Sequence, residues 1–288
     1  MPLKLWISAL PLTCLMLGCA PNRPNEHEAH YRSTPFADHR LHYIERGNPH
    51  KPLVLFIHGT PGSSAGFDAY LSDPRLLDAY HLIAVDRLGF GRSAASGAVA
   101  SFDTHSRSLE SLWARNKSAV RALVVGHSLG GSIAYRVALD YPDEVGGLLA
   151  ISAAADPTLS TPRWYNHAAN MAVVRWLVPY QLKVANVEMM PLAQELSLTA
   201  EHLHRLDIPV TIVQGAKDAL VAAPNADFAA STINNGRTRV LHMQEHGHFI
   251  VWEEHGMMVD EILALAKTLP PRPEPAAGST VEPFQTVE

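Results

Sequence analysis

Ser128 stands in Gly126-His127-Ser128-Leu129-Gly130, at the end of the β-branched apolar run Leu123-Val124-Val125. A segment with helical spacing through Ile133, Val137, Ala138 and Tyr141 follows directly. This reads as strand, tight turn, helix, with the serine hydroxyl aimed outward from the top of a sheet. Such a turn strains the serine backbone, and side chains two residues to either side would collide, so glycine is the residue type required at 126 and 130. A serine held in this way can attack a carbonyl carbon if a base removes its proton and donors receive the oxyanion that develops. The base must be a histidine, because it has to accept the proton and return it near neutral pH. His127, His246 and His248 compete for that role.

The elements that must position these groups alternate along the chain. Leu53 to Ile57, His81 to Val85 and Gly146 to Ser152 are continuously apolar or nearly so, as strands buried on both faces of a mostly parallel sheet require. His39 to Glu45 alternates apolar and polar residues and should form an antiparallel strand closing at Gly47-Asn48-Pro49. Ile208 to Gln214 and Arg239 to Met243 supply two later strands, with helices expected over residues 103–117, capped by Ser101 or Asp103, and 253–269. From residue 153 to about 206 the strand pattern stops and only helical segments remain, 165–177, ended by Pro179, and 191–206.

These motifs together resemble the α/β-hydrolase family. Residues 126–130 resemble its nucleophile elbow, and His58-Gly59-Thr60-Pro61-Gly62 resembles its His-Gly-x-Pro-Gly oxyanion loop. Asp86-Arg87-Leu88-Gly89-Phe90-Gly91-Arg92-Ser93 resembles its structural Asp-x-x-Gly-x-Gly-x-Ser turn, and it lacks the third glycine and the following helix that dinucleotide binding needs. The resemblance implies an α/β-hydrolase fold: a mostly parallel, eight-stranded-type sheet, helices on both faces and a small helical lid. It implies the backbone amides of Thr60 and Leu129 as oxyanion donors. Leu129 also opens a helix, where free amides and the helix dipole favour an anion. It further implies Asp218, just past a strand end, as the triad acid in preference to Asp156, and His248 in Gly247-His248-Phe249 as the base, which leaves His127 as elbow packing. Trp164, Tyr165, Met171, Trp176, Met189 and Met190 would pack the lid or line the pocket.

The activity implied is hydrolysis of a small-molecule carboxylic ester through an acyl-enzyme on Ser128, with no cofactor and no metal. A proline iminopeptidase-like aminopeptidase shares the Pro-Gly of the oxyanion loop, but its elbow usually reads Gly-Gly-Ser-Trp-Gly. A lactone or carbon-carbon bond hydrolase would use the same chemistry. Relatives that open epoxides or remove halides place aspartate at the elbow, against which Ser128 argues. From another class, the chain could be an inactive, lipid-anchored binding module that keeps the fold.

The 288 residues are 47% hydrophobic and 18% charged, enough for one large core with an insertion. A net charge of -5 without long runs of one sign offers no basic face to nucleic acid. Sixteen histidines fall into no metal-ligand spacing, and both cysteines, Cys14 and Cys19, lie near the N-terminus. There, Lys4 and the apolar run from Leu5 to Leu17 have the pattern of an export signal, ending in Leu15-Met16-Leu17-Gly18-Cys19-Ala20, which resembles a bacterial lipoprotein signal.

The expected organisation is therefore a signal peptide over 1–18 and a tether over 19–30. A hydrolase core over 31–152 and 207–269 is interrupted by the lid over 153–206, and a disordered tail covers 270–288. Acyl chains on Cys19 would anchor the exported domain at a membrane, and the lipoprotein resemblance implies, from Ala20 in place of aspartate after the cysteine, the outer membrane, facing the periplasm. Replacing Cys19 by serine is expected to move the protein into the soluble fraction on cell fractionation, and continued membrane association would contradict the anchor.

Overall fold

The computed structural model describes residues 28–162, 164–169 and 171–273. The expected signal peptide, Cys19 and most of the tether lie outside them. Eight strands form a single sheet: β1 (His30–Phe36), β2 (His39–Arg46), β3 (Leu53–Ile57), β4 (His81–Asp86), β5 (Ala122–His127), β6 (Val145–Ile151), β7 (Val210–Gly215) and β8 (Thr238–Met243). Their spatial order is β1-β2-β4-β3-β5-β6-β7-β8, antiparallel at the first two pairings and parallel from there on. The expected α/β architecture with an eight-stranded, mostly parallel sheet is the one present. β1 was not foreseen, because His30-Tyr31-Arg32-Ser33-Thr34-Pro35-Phe36 is half exposed at the sheet edge and carries no apolar alternation.

β3 to β7 are buried along their whole length, and their side chains alternate between two cores. Leu53, Leu55 and Ile57 join one core while Val54 and Phe56 join the other. On the second face lie the short helices α1 (Asp68–Ser72) and α2 (Pro74–Leu77), which bring Tyr70, Leu71 and Leu76 onto the sheet. On the first face α3 (Phe102–Ser108) is capped by Ser101, whose hydroxyl accepts from the Thr104 amide at 3.3 Å. The single helix expected over 103–117 breaks into α3 and a 3-10 turn over Glu110–Arg115. α4 (Leu129–Asp140) follows the elbow and lays Ile133 and Val137 on the same face.

Four helices make up the insertion, α5 (Trp164–Ala169), α6 (Ala172–Leu177), α7 (Tyr180–Met189) and α8 (Leu192–Ala200), with no strand among its described residues. The segment expected over 165–177 is two helices, α5 and α6, the one expected over 191–206 ends at Ala200 with a 3-10 turn over Leu203–Arg205 after it, and α7 was unforeseen. Trp164 and Trp176 are more than three-quarters exposed, so both tryptophans point outward and not into a pocket. The Tyr165 side chain is not among those described. α9 (Pro224–Ile233) returns to the first face, and α10 (Ile250–Glu253) and α11 (His255–Ala266) replace the one helix expected over 253–269 on the second.

The ordered core runs past the expected tail boundary at 270. Pro271 bridges Val120, the Arg272 amide donates to Ala119 at 2.9 Å, and the Arg272 guanidinium reaches Glu144 at 2.7 Å. Residues 274–288 of the expected tail lie outside the described residues. Among the described residues, no helix is long and apolar enough to cross a membrane.

Candidate active site

Ser128 sits at φ 54° and ψ -130°, between β5 and α4, a left-handed conformation that a β-carbon resists. The flanking glycines show why the turn closes. A β-carbon on Gly126 would stand 2.4 Å from the Gly130 oxygen, and one on Gly130 would stand 2.2 Å from the Ile57 oxygen of β3. The Ser128 amide donates to Ile151 at 2.8 Å, and its carbonyl accepts from Gly131 at 2.8 Å, so the strained residue is tied to the sheet on one side and to α4 on the other.

His248 and Asp218 come together from the loops after β8 and β7. His248 Nδ1 donates to Asp218 Oδ2 at 2.8 Å. The Leu220 and Val221 amides each donate to Asp218 Oδ1 at 2.8 Å, and Gln214 Nε2 approaches Oδ2 at 3.3 Å. Burial works to raise the Asp218 carboxyl, but the bonds from His248 and the two amides outweigh it and hold the group below the usual carboxylate range. With that carboxylate ionised, His248 keeps its proton on Nδ1 and leaves Nε2 as an acceptor. The rival residues are engaged elsewhere. Asp156 accepts from the Thr158 amide and hydroxyl, and His246 faces Glu253 and Glu254.

His127 does pack beneath the elbow, and it also makes a bond the sequence did not indicate. Its Nε2 donates to the backbone oxygen of His248 at 2.9 Å, so the residue before Ser128 fixes the loop that carries His248. Burial pushes the His127 imidazole down to about 4, which keeps it neutral and preserves that tautomer.

Thr60 and Leu129 both line the cavity at Ser128. Behind the loop of Thr60, the Arg87 guanidinium donates from Nε to the His58 oxygen at 2.9 Å and from Nη2 to the Gly59 oxygen at 3.0 Å. Arg87 is also paired with Glu188 of α7, and both side chains are buried. Burial works to raise Glu188, but the charge of Arg87 and the hydrogen bonds from His105 and Arg87 bring it down to about 2. Reasoning from sequence missed Arg87, Glu188 and Gln214 as site residues. The available signal for Glu188 was a lone acid in the apolar stretch Val187-Glu188-Met189-Met190.

Two cavities open at the serine. One of about 210 Å³ runs under the insertion past Met189, Leu192, Val221 and Asn225. The other, of about 340 Å³, lies between the loop of Gly59 to Ser63 and Phe249 and Trp252. Thr60, Ser128 and His248 line both, so a substrate with two arms could place a central carbonyl on Ser128. Among the described residues no cluster of three or more histidine, cysteine or acidic side chains is arranged to hold a metal.

His58, His105 and His127 are all buried, and burial drives each below the ordinary histidine value of 6.5. The unfolded chain therefore takes up protons first as the pH falls below about 6.5, and stability present above that pH is lost on the way down. For His127 alone, with a folded value of about 4, the loss amounts to about 3 kcal/mol by the bottom of the window. Urea midpoints measured from pH 7 to 4 are expected to drop steadily, whereas a flat profile would contradict the buried neutral histidines.

Residues 52–182 match the family model of the alpha/beta hydrolase fold. Epoxide hydrolase A of Mycobacterium tuberculosis is 31% identical over 125 residues, covering 43% of this chain and 38% of that protein. Lipase 1 of Psychrobacter immobilis is 26% identical over 243 residues, covering 73% of this chain and 75% of the lipase. The chain spans less than half the length of the first curated relatives it matches. Among solved structures, the 2-hydroxy-6-oxo-6-phenylhexa-2,4-dienoate hydrolase of Rhodococcus sp. strain RHA1 superposes with a TM-score of 0.65 at 16% identity, covering 82% of this chain and 99% of the other, a likeness of fold. With that match, that superposition and its own eight-stranded, mostly parallel sheet, this chain is a protein of the α/β-hydrolase fold.

Proposed function

We propose that this chain is a serine hydrolase that cleaves small-molecule carboxylic esters through an acyl-enzyme on Ser128. The observation that carries the reading is the His248–Asp218 pair, which borders the cavity that Ser128, Thr60 and Leu129 line. In this reading His248 Nε2 takes the proton of Ser128 Oγ as that oxygen adds to the ester carbonyl. The amides of Thr60 and Leu129 receive the oxyanion, a contribution of roughly 3 to 4 kcal/mol per donor. Collapse expels the alcohol, which leaves with the proton from His248. Water, deprotonated by the same imidazole, then releases the acid and regenerates Ser128.

The name of the Psychrobacter lipase accords with ester cleavage. Ser128 at the elbow weighs against carrying over the epoxide opening and dehalogenation that other relatives are named for, since the family resemblance implies an aspartate nucleophile for those reactions. The setting we propose is the periplasmic face of a bacterial outer membrane, reached through a lipid on Cys19, a reading that rests on the N-terminal sequence.

Assays with p-nitrophenyl esters, lactones and aminoacyl anilides test the proposal. Ester turnover is expected to fall at least about 10³-fold in Ser128→Ala. Asp218→Asn, which leaves His248 in the wrong tautomer, should lower kcat by about 10⁴-fold. Turnover surviving in Ser128→Ala would overturn the assignment, preference for the anilides would favour a peptidase, and a wild-type protein that neither turns over nor reacts with a fluorophosphonate would be a binding module.

A further inference from the structure

The donor implied at Thr60 belongs to the Gly59–Thr60 peptide unit, so whatever fixes the Gly59 oxygen also fixes the direction of the Thr60 N–H on the opposite side of the same plane. Two donors converge on that oxygen. His58 Nδ1 reaches it at 2.7 Å and Arg87 Nη2 at 3.0 Å. The His58 tautomer is set from the other side, because its Nε2 accepts from the Arg87 amide at 3.0 Å, which leaves the proton on Nδ1. Arg87 Nε holds the preceding carbonyl, that of His58, at 2.9 Å. The main-chain oxygens of two successive residues leading into Thr60 are thus gripped by one guanidinium.

That guanidinium is itself positioned from the insertion. Glu188 faces it with both carboxylate oxygens, Oε1 on Nη1 and Oε2 on Nη2 at 3.3 Å. His105 Nε2 lies 3.3 Å from Glu188 Oε1 and 3.1 Å from the Val99 oxygen, so α3 braces the acid. Phe90 closes the far side, with its ring centroid 4.9 Å from the Arg87 guanidinium carbon. Arg87 and Glu188 are each only 2% exposed. Burying two charges costs about as much as their attraction returns, and apolar replacements of similar volume are often as stable or more so, so stability alone does not explain the pair. Its geometry does something an apolar pair could not do: it puts a fixed cation on the carbonyl of the peptide unit whose amide belongs to Thr60, a residue that lines the cavity. A donor on a peptide oxygen polarises the peptide and strengthens its N–H as a donor.

We propose that Glu188 and Arg87 are positioning residues for the oxyanion hole, with the helical insertion holding, through Glu188, the guanidinium that orients and polarises the Gly59–Thr60 peptide. The inference rests on the serine-hydrolase reading above, in which the Thr60 amide receives the oxyanion. Under it, α7 belongs to the catalytic apparatus as well as to the cover over the cavity, and the pair should matter more to the transition state than to the bound ester.

The test uses the whole protein and a p-nitrophenyl ester whose turnover has first been shown to vanish in Ser128→Ala. Survival of turnover in that variant would remove the serine-hydrolase reading itself. With that dependence established, Glu188→Gln keeps shape and one of the two acceptor oxygens but not charge, and should lower kcat about 10-fold with KM within about two-fold. Arg87→Lys keeps charge but cannot span both carbonyls and should lose about 100-fold. The double variant Arg87→Met with Glu188→Leu leaves no unpaired buried charge, so it reports even where the Arg87 single variant fails to fold, and it should also lose about 100-fold.

A trifluoromethyl ketone, whose hemiketal oxyanion occupies the hole, should bind more weakly by the same factor as kcat/KM falls. A merely structural role would leave that match absent. Folded variants with unchanged kcat, or with a raised KM and unchanged affinity for the ketone, would overturn the inference while leaving the role of Ser128 standing.

Discussion

Helix α4 meets the end of β3 with no side chain between them: a β-carbon on Gly130 would lie 2.2 Å from the Ile57 oxygen. The rest of the site depends on this approach. It sets the start of α4, and with it the Leu129 amide, beside the loop that β3 delivers, so Thr60 and Leu129 line one cavity with Ser128. Ser128, two residues before that contact, stands at φ 54°, tied to the sheet through the bond from its amide to Ile151. Ser128 and the Thr60 and Leu129 amides are therefore placed by backbone geometry, while His248 and Asp218 are placed by side-chain hydrogen bonds across loops.

Those loops are secured by buried polar groups whose protonation is controlled by burial. His127 holds the backbone of His248, His58 and Arg87 hold the Gly59 oxygen, and Asp218 gathers two amides together with His248. Burial keeps His58 and His127 neutral, each with one nitrogen donating, so the bonds that hold these loops depend on histidines that acid would charge. Rigidity at the site and acid sensitivity of the fold have one origin.

Local motifs made much of this visible in the sequence. Ser128, Thr60 and Leu129 sit in short strand-to-loop units whose glycines declare the geometry, and His248 and Asp218 follow strand ends at spacings that resemble the family. The alternation of buried strands also exposed the fold, because β3 to β7 are apolar throughout. What stayed hidden was whatever depends on partners far apart in the chain. β1 has no apolar pattern of its own and exists through its pairing with β2. Arg87 and Glu188 are 101 residues apart, and one lies in a turn that resembles a structural motif while the other lies in an insertion the motifs say nothing about. Gln214 closes a strand and reads as an ordinary polar end. The lid tryptophans were placed by composition as packing or pocket residues, yet Trp164 and Trp176 face outward, since composition carries no direction.

The central claim is that Ser128 becomes acylated during turnover. Rapid quenching in acid during turnover of p-nitrophenyl butyrate, followed by mass spectrometry of the proteolysed protein, tests it most directly. The account predicts a butyryl mass on the peptide that contains Ser128, formed at the rate of the initial p-nitrophenol burst and absent from Ser128→Ala. Steady turnover with no acyl mass on that peptide, or an adduct on another residue formed at a competent rate, would contradict it.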